Sequence, residues 1–482
     1  MSKEAEINAR ADRLDDAELK TMLSGSLHMI AARLDNLPTG RWHLKLLMLV
    51  GGAMFLDNLD MYIGGGLLAH LLSDGWSTVD LNGWFQTITM VGYLIGALIS
   101  GAIADKLGRR RALLTFMAIF GVATLLAGLA PNMIALIICR GLMGIGLGAF
   151  VPCGYGPFGE FIPPESRSRY SSYIGLIANC SPPIGALLTM LVIPVFGWRS
   201  VFFGITVAIV VVWIILFKFM PESPRWLASQ GRFEEADAIV SAAEKSFTDR
   251  GIDLPEITEE QIKEIEEQFK AEPVQVPYSA LFSKKMIRRT ITASAALMAN
   301  FLICYTITTW TPTVFVLQGI DTTQSIFMTF IMLLGAPVGV FLLSIFGNKH
   351  SRKGGMVVTL IILSIAGYIW SLQTDPTIIM ITGFLVCVVC YYYALLSISV
   401  YMGEVFPTEA RVRGSGFSSA MGRILAIISP TITAALLQSS GVVSVYVFVG
   451  ALLILFAIII AVFGVETRNR SLEDINDETI SG

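Results

Sequence analysis

The segment Gly159-Glu-Phe-Ile-Pro163-Pro-Glu165-Ser-Arg167-Ser-Arg169 returns 244 residues later as Gly403-Glu-Val-Phe-Pro407-Thr-Glu409-Ala-Arg411-Val-Arg413, keeping the glycine, both glutamates, the first proline and both arginines. At the same offset Pro221-Glu222-Ser-Pro-Arg225 corresponds to Val465-Glu466-Thr-Arg468. Two motifs that share one offset mark an internal duplication, so each half of the chain is a copy of one unit. Both copies of the first motif are flanked by long apolar runs, which places the duplicated unit in lipid.

Outward from these motifs, apolar runs cover 45–69, 82–104, 112–130, 132–158, 169–194 and 199–219 in the first half. In the second half they cover 289–316, 323–346, 355–372, 376–402, 412–437 and 442–464. Each is long enough to cross a hydrocarbon layer of about 30 Å as a helix. The fold expected is an all-α polytopic membrane protein with twelve transmembrane helices in two six-helix pseudo-symmetric bundles. Its parts are a segment 1–44, a bundle 45–219, a charged linker 220–288 with amphipathic stretches near 232–247 and 258–270, a bundle 289–464 and a tail 465–482.

Composition agrees. The 482 residues are 54% hydrophobic and only 15% charged, with a mean hydropathy of +0.67, which excludes an ordinary soluble enzyme. A net charge of -3 favours no nucleic-acid partner. Four scattered histidines and no nucleotide-binding loop argue against an enzyme, and no metal or cofactor is expected. The six cysteines all lie in apolar runs, so no disulfide framework is indicated; Cys387 and Cys390, with two valines between them, read as packing. No cleavable leader is indicated, because residues 1–41 are polar and the run from Leu44 is long enough to span.

Orientation follows from the basic residues. With the amino terminus inside, 31 of the 34 Lys and Arg fall on the inner side, Arg199 lies outside, and Arg140 and Arg423 are within spans. Inner loops attract positive charge, so both ends are expected in the cytoplasm.

The loop Gly101-Ala-Ile-Ala-Asp105-Lys-Leu-Gly108-Arg109-Arg110-Arg111, the run Arg140-Gly-x-x-Gly144-x-Gly-x-Gly148 and Pro221-Glu-Ser-Pro-Arg225 together resemble the major facilitator superfamily over nearly the whole chain. Pro221-Glu-Ser-Pro-Arg-Trp-Leu227 and Glu466-Thr-Arg-x-Arg-Ser-Leu472 are similar to its sugar-porter branch. Ala32-Arg-Leu-Asp-x-Leu-Pro38 resembles bacterial proton-coupled metabolite, niacin and aromatic-acid carriers. The resemblance implies a multi-pass protein of the bacterial cytoplasmic membrane, in which two halves rock about a central site.

Two sets of charges are candidates for that work. Asp105, Arg109, Glu160, Arg167, Glu222, Arg225, Glu404, Arg411 and Glu466 cluster at inner span ends and form a candidate cytoplasmic gate, with opposite charges pairing across the halves when the inner side is closed. Exposed ion pairs contribute only ~0–1 kcal/mol each, enough to bias two states without locking either. The second-half counterpart of the Asp105 loop carries Gly347 and His350 in place of Asp105 and Gly108, so the latch is not extended to it.

Asp57, Asp60, Arg140 and Arg423 are embedded, at roughly 2.5–3.5 kcal/mol each for a charge at a helix centre, and are expected to face one another or water. Asp57 and Asp60, three apart, share a helix face. Asp57, Asp60 and Arg140 are read as proton-coupling groups and Arg423 as the ligand of an organic anion. Gln86, Tyr93, Asn179, Asn300, Tyr305, Trp310 and Tyr392 are candidate cavity residues, and Pro312 should interrupt its helix near the outer end.

The function expected is secondary active import, by a monomer, of a small organic acid with protons: an aromatic or pyridine carboxylate, or a sugar acid. A sugar or polyol carrier, a drug/proton antiporter and a non-transporting receptor are the alternatives. Gly92/Gly96, Gly144/Gly148 and Gly335/Gly339 have the spacing that lets helices touch.

Overall fold

The computed structural model describes residues 27–255, 257–258, 277–284, 286–347 and 350–467. The stretch near 258–270 and the tail beyond residue 467 therefore lie outside the described residues. Among the described residues the secondary structure is helical throughout. In lipid every backbone N–H and C=O needs an internal partner, which a helix supplies within its own segment.

Spans one to six are Arg41–Ser73, Val79–Leu107, Arg109–Gly128, Met133–Phe161, Pro164–Phe196 and Trp198–Phe219. Spans eight to ten are Thr322–Phe346, Arg352–Ser371 and Pro376–Val405. The final helix, Arg413–Phe463, holds two crossings joined at Gly441, whose φ of 75° and ψ of -174° break the helix. Only glycine adopts that backbone readily, which ends span eleven and begins span twelve.

Span seven is bent by 44° between Ile287–Thr306 and Thr309–Leu317. The interruption expected at Pro312 thus falls one turn earlier, since a proline ring clashes with the carbonyl four residues before it. Side-chain caps start several spans: Thr78, Asn132, Asp321, Ser351 and Asp375 accept backbone N–H bonds of the first turn.

Spans two and four meet backbone to backbone. A Cβ built on Gly148 would lie 1.9 Å from the Tyr93 carbonyl oxygen, one on Gly96 2.0 Å from that of Ile145, and one on Gly144 2.4 Å from that of Thr89. This close approach holds Tyr93 and Arg140 in register on neighbouring helices. Gly148→Ala is expected to lower the detergent unfolding temperature, at a cost of about 1–3 kcal/mol or more for overpacking. Gly204→Ala, with open space around it, should be neutral in the same measurement.

The halves carry separate apolar cores, one built on Phe116, Phe120, Phe150 and Leu147, the other on Leu302, Tyr393, Phe406 and Leu453. They touch at the end opposite the arginine-rich loops. Thr87 donates to the Ile427 carbonyl at 3.0 Å and lies 2.9 Å from the Thr431 hydroxyl, and the Tyr391 and Tyr62 hydroxyls are 3.0 Å apart. Ala186 packs in one cluster with Phe315 and Met328.

At the charged end, a helix over 27–35 packs with Pro224–Ser229 and Phe233–Thr248 around Ile30, Leu34, Trp226, Val240 and Phe247. Arg33 bonds Glu244 at 2.6 Å and also pairs with Asp237. The amphipathic stretch at 232–247 thus has a folded partner, supplied by the segment that precedes span one.

Candidate functional site

The deepest charges separate into two groups. Arg140 donates from Nη1 to Asp60 Oδ2 at 2.6 Å and from Nε to Thr89 Oγ1 at 3.4 Å, while its guanidinium carbon lies 4.8 Å from the centre of the Phe85 ring. Both partners are almost wholly buried, Arg140 at 2% and Asp60 at 1% exposure. This pair neutralises itself. Arg140 therefore balances Asp60 and leaves Asp57 to other partners, which its place one turn away on the same face did not foretell.

Asp57, at 3% exposure, accepts from the Tyr93 hydroxyl at 3.4 Å, and Arg423 from the other half lies within electrostatic reach. The Arg423 guanidinium sits between two rings, 4.8 Å from the centre of Tyr93 and 5.6 Å from that of Phe301. Phe301 stacks on Tyr305 at 6.0 Å with an interplanar angle of 7°. Gly422 permits this arrangement, because a Cβ there would meet Phe301 Cδ2 at 2.5 Å.

Arg423, Phe301 and Tyr305 are half-buried, and Asp57, Tyr93, Gln86 and Asn300 lie buried behind them. Among the described residues, the Oδ1 atoms of Asp57 and Asp60 have no hydrogen-bond partner. The arrangement offers an anion a guanidinium held between aromatic faces, with a buried carboxylate beside it. Chemically, a half-buried guanidinium can accept an anion, and a buried carboxyl group can exchange a proton.

Three of the expected cavity residues stand elsewhere in the fold. Asn179 is half-buried and donates to its own helix at the Gly175 carbonyl, 2.8 Å away. Trp310 belongs to the core of the second half, in a cluster that takes in Val79. Tyr392 is half-buried within electrostatic reach of Arg352, whereas Tyr391 reaches across to Tyr62 and Tyr393 donates to the Ala296 carbonyl. Consecutive residues point about 100° apart on a helix, and the sequence carries no signal for which of three tyrosines faces the partner half.

At the charged end Arg109 bonds Asp105 at 2.5 Å and Glu160 at 3.4 Å. Glu160 also accepts from the Ser223 hydroxyl, and Glu222 accepts the Arg110 N–H at 2.9 Å. Asp35 takes Arg225 at 2.6 Å and Arg167 at 3.9 Å. In the second half Arg352 bonds Glu404 at 3.3 Å, Glu404 accepts from Thr467 at 2.6 Å, and Glu466 accepts the Arg352 N–H at 2.9 Å. Arg411 is half-buried at the same end.

The second half repeats part of this arrangement, without a counterpart of the Arg109–Asp105 pair, since Gly347 stands in place of Asp105. Arg352 stands to Glu404 as Arg109 stands to Glu160, and Thr467 and Glu466 repeat Ser223 and Glu222 at the 244-residue offset. The loss of Asp105 and Gly108 equivalents obscured Arg352, although its position 243 residues after Arg109 was a usable signal. In this state Glu160, Asp105 and Glu404 have partners within their own halves, while Thr87, Tyr62 and Tyr391 make contacts between the halves.

If Asp60 and Arg140 serve mainly to neutralise each other, removing one should cost more than removing both. Arg140→Gln is expected to destabilise by about 3–5 kcal/mol by leaving a buried charge, and Arg140→Gln with Asp60→Asn should recover most of it in detergent thermal unfolding.

Twelve crossings in two duplicated halves, with charges and hydrogen bonds meeting between them, define a membrane transporter of the major facilitator fold. The sugar (and other) transporter family profile matches residues 59–478, and the chain belongs to that family, which is one of transporters rather than enzymes. It is 38% identical to the inner membrane metabolite transport protein YdjE of Escherichia coli, over 93% of this chain and 98% of that protein. It is 28% identical to the niacin transporter NiaP of Acinetobacter baylyi, over 92% of this chain and 99% of that one. Its fold matches a partially occluded, inward-open structure of the xylose transporter XylE of E. coli with a TM-score of 0.70 at 16% identity, covering 90% of this chain and all of that one.

Proposed function

We propose that this transporter imports a small aromatic or pyridine carboxylate together with a proton, by alternating access in a bacterial inner membrane. The observation that carries this reading is Arg423, held between the rings of Tyr93 and Phe301 and beside Asp57. A planar acid is recognised there by a guanidinium fork and by aromatic surface together. A carboxylate bound to Arg423 leaves Asp57 as a second buried anion, a cost that a proton on Asp57 removes. Solute and proton then travel as one neutral pair.

A monoanion carried with one proton moves no net charge, so the pH gradient alone drives uptake; a second proton would add about 2.3 kcal/mol per 100 mV. The niacin specificity of a 28% identical relative supports a pyridine carboxylate, since niacin is the pyridine-3-carboxylic acid. With the basic loops inside, the contacts between halves away from those loops support an inward-facing state. Asp105, Arg109, Glu160, Arg167, Glu222, Arg225, Glu404, Arg411 and Glu466, with Arg352 added, are the groups that re-pair when the inner side closes.

The test is uptake of radiolabelled nicotinate by proteoliposomes under an inward proton gradient, with unlabelled nicotinate, benzoates, gluconate and glucose as competitors. Nicotinate or the benzoates should compete, with gluconate weak and glucose inert. Competition by glucose alone would move the assignment to a neutral sugar carrier.

A further inference from the structure

Spans one and six pack against each other, and at the charged end of the molecule each carries a lysine on its outward face. On span one Arg41, Leu44, Lys45 and Met48 are spaced three and four apart and so share a face, and all four are exposed. On span six Ile214, Ile215 and Lys218 share a face in the same way and are exposed too. The two ammonium groups converge on one ring: Lys45 Nζ lies 4.7 Å and Lys218 Nζ 5.5 Å from the centre of Phe219, itself 45% exposed. An ammonium is attracted to an aromatic face, so the ring gathers both cations at one depth. Span three fixes where that ring stands. Arg110 donates to the Phe217 carbonyl, Phe217 stacks on Trp213 at 5.2 Å with an interplanar angle of 9°, and the Trp213 indole N–H donates to the Leu114 carbonyl at 3.0 Å.

Among the described residues Arg41, Lys45 and Lys218 form no ion pair with a carboxylate, whereas Arg109, Arg225 and Arg352 at the same end are taken up by Asp105, Asp35 and Glu404. The patch also belongs to one half. The 244-residue offset puts Arg289 and Val462 in the places of Lys45 and Lys218, and Arg289 is buried at 2% exposure while Val462 is apolar and 61% exposed. Duplication therefore does not account for the pair. Inner-loop charge sets the orientation of the chain, but it does not require two cations from different helices over one lipid-facing ring.

We propose that Lys45, Lys218 and Phe219 form a binding site for the headgroup of an anionic phospholipid of the inner leaflet, such as phosphatidylglycerol, with Arg41 as a third cation. The phosphate accepts hydrogen bonds from both ammonium groups, and the acyl chains lie along the exposed Leu44, Met48, Ile214 and Ile215. A zwitterionic headgroup brings its own cation to the lysines and is held less well. A soluble phosphate has the charge without the apolar contact. The bound lipid ties span one, which carries Asp57 and Asp60, to span six of the same half.

The test is native mass spectrometry of the full-length purified protein, delipidated in detergent and offered phosphatidylglycerol or phosphatidylcholine with identical acyl chains. The wild type should retain one phosphatidylglycerol about 30-fold better than phosphatidylcholine, the effect of two surface lysines on an anionic headgroup. Lys45→Gln with Lys218→Gln should lose that preference, and Lys45→Arg with Lys218→Arg should keep it. Lys284→Gln with Arg288→Gln removes two exposed charges at the inner end of the second half and should leave the preference unchanged. Glycerol phosphate, a headgroup without chains, should not displace the lipid. If the double glutamine variant lacks a native unfolding transition, each single substitution should lower the preference about 5-fold. Equal retention of the two lipids by the wild type, a preference that survives both glutamines, an equal loss in the Lys284 and Arg288 variant, or displacement by glycerol phosphate would overturn the assignment.

Discussion

Replacement of Arg423 by alanine is expected to abolish nicotinate accumulation in proteoliposomes and to weaken solute binding at least about 30-fold. The magnitude follows from the roughly 2–5 kcal/mol lost when one partner of a buried charge pair is truncated. Arg140 is committed to Asp60 at 2.6 Å and so does not substitute for the missing cation. Lysine at position 423 should rescue poorly. Its ammonium is a point charge, whereas a planar guanidinium can meet a carboxylate with two parallel bonds and is favoured near aromatic faces such as those of Tyr93 and Phe301. Isothermal titration of nicotinate on the wild type and both variants measures this; unchanged affinity in Arg423→Ala would remove Arg423 from the binding site.

Asp57→Asn should separate binding from energisation. The amide is uncharged at every pH and nearly isosteric with the acid, so the Arg423 clamp survives and the carrier still exchanges solute down a gradient. Uphill accumulation driven by a proton gradient should fall to the background of empty vesicles. The phenotype differs from that of Arg423→Ala, which loses exchange and accumulation together. Counterflow of labelled nicotinate against unlabelled nicotinate reads out exchange, and gradient-driven uptake in the same vesicles reads out coupling.

Most of the fold was legible because lipid makes demands that few sequences meet in another way. The twelve apolar runs agree with the helices to within a few residues, and Gly441 supplies the turn between the last two. The glycines of spans two and four were legible as a contact surface for the same reason, since only they permit the Tyr93 carbonyl to lie where a side chain would otherwise stand. The bend in span seven was assigned to Pro312 and lies a turn earlier, at the carbonyl its ring displaces.

The site was legible as a set of charges and not as pairs. Embedded charges are rare enough to be noticed, but two carboxylates on one face leave their partners open, and the division of Asp60 to Arg140 and Asp57 to Tyr93 is set by tertiary packing. Arg352 was obscured because its loop had lost the aspartate and glycine that mark the first-half copy, although the contact to Glu404 survived. Tyr62 was not singled out, and Tyr392 was chosen over its neighbour Tyr391, because aromatic residues are common in membrane helices and only the hydrogen bond between halves distinguishes the pair. The helix over 27–35 was not foreseen, since its apolar face is completed by Trp226 and Phe247, which arrive about two hundred residues later.

The most direct test of the central claim, that a carboxylate at Arg423 brings a proton to Asp57, is simultaneous recording of external pH and labelled nicotinate uptake in weakly buffered proteoliposomes. The account predicts one proton taken from the medium per nicotinate in the wild type, insensitive to an imposed membrane potential, and no solute-driven proton movement in Asp57→Asn. Nicotinate uptake without alkalinisation of the medium, or equal proton movement in Asp57→Asn, would contradict it.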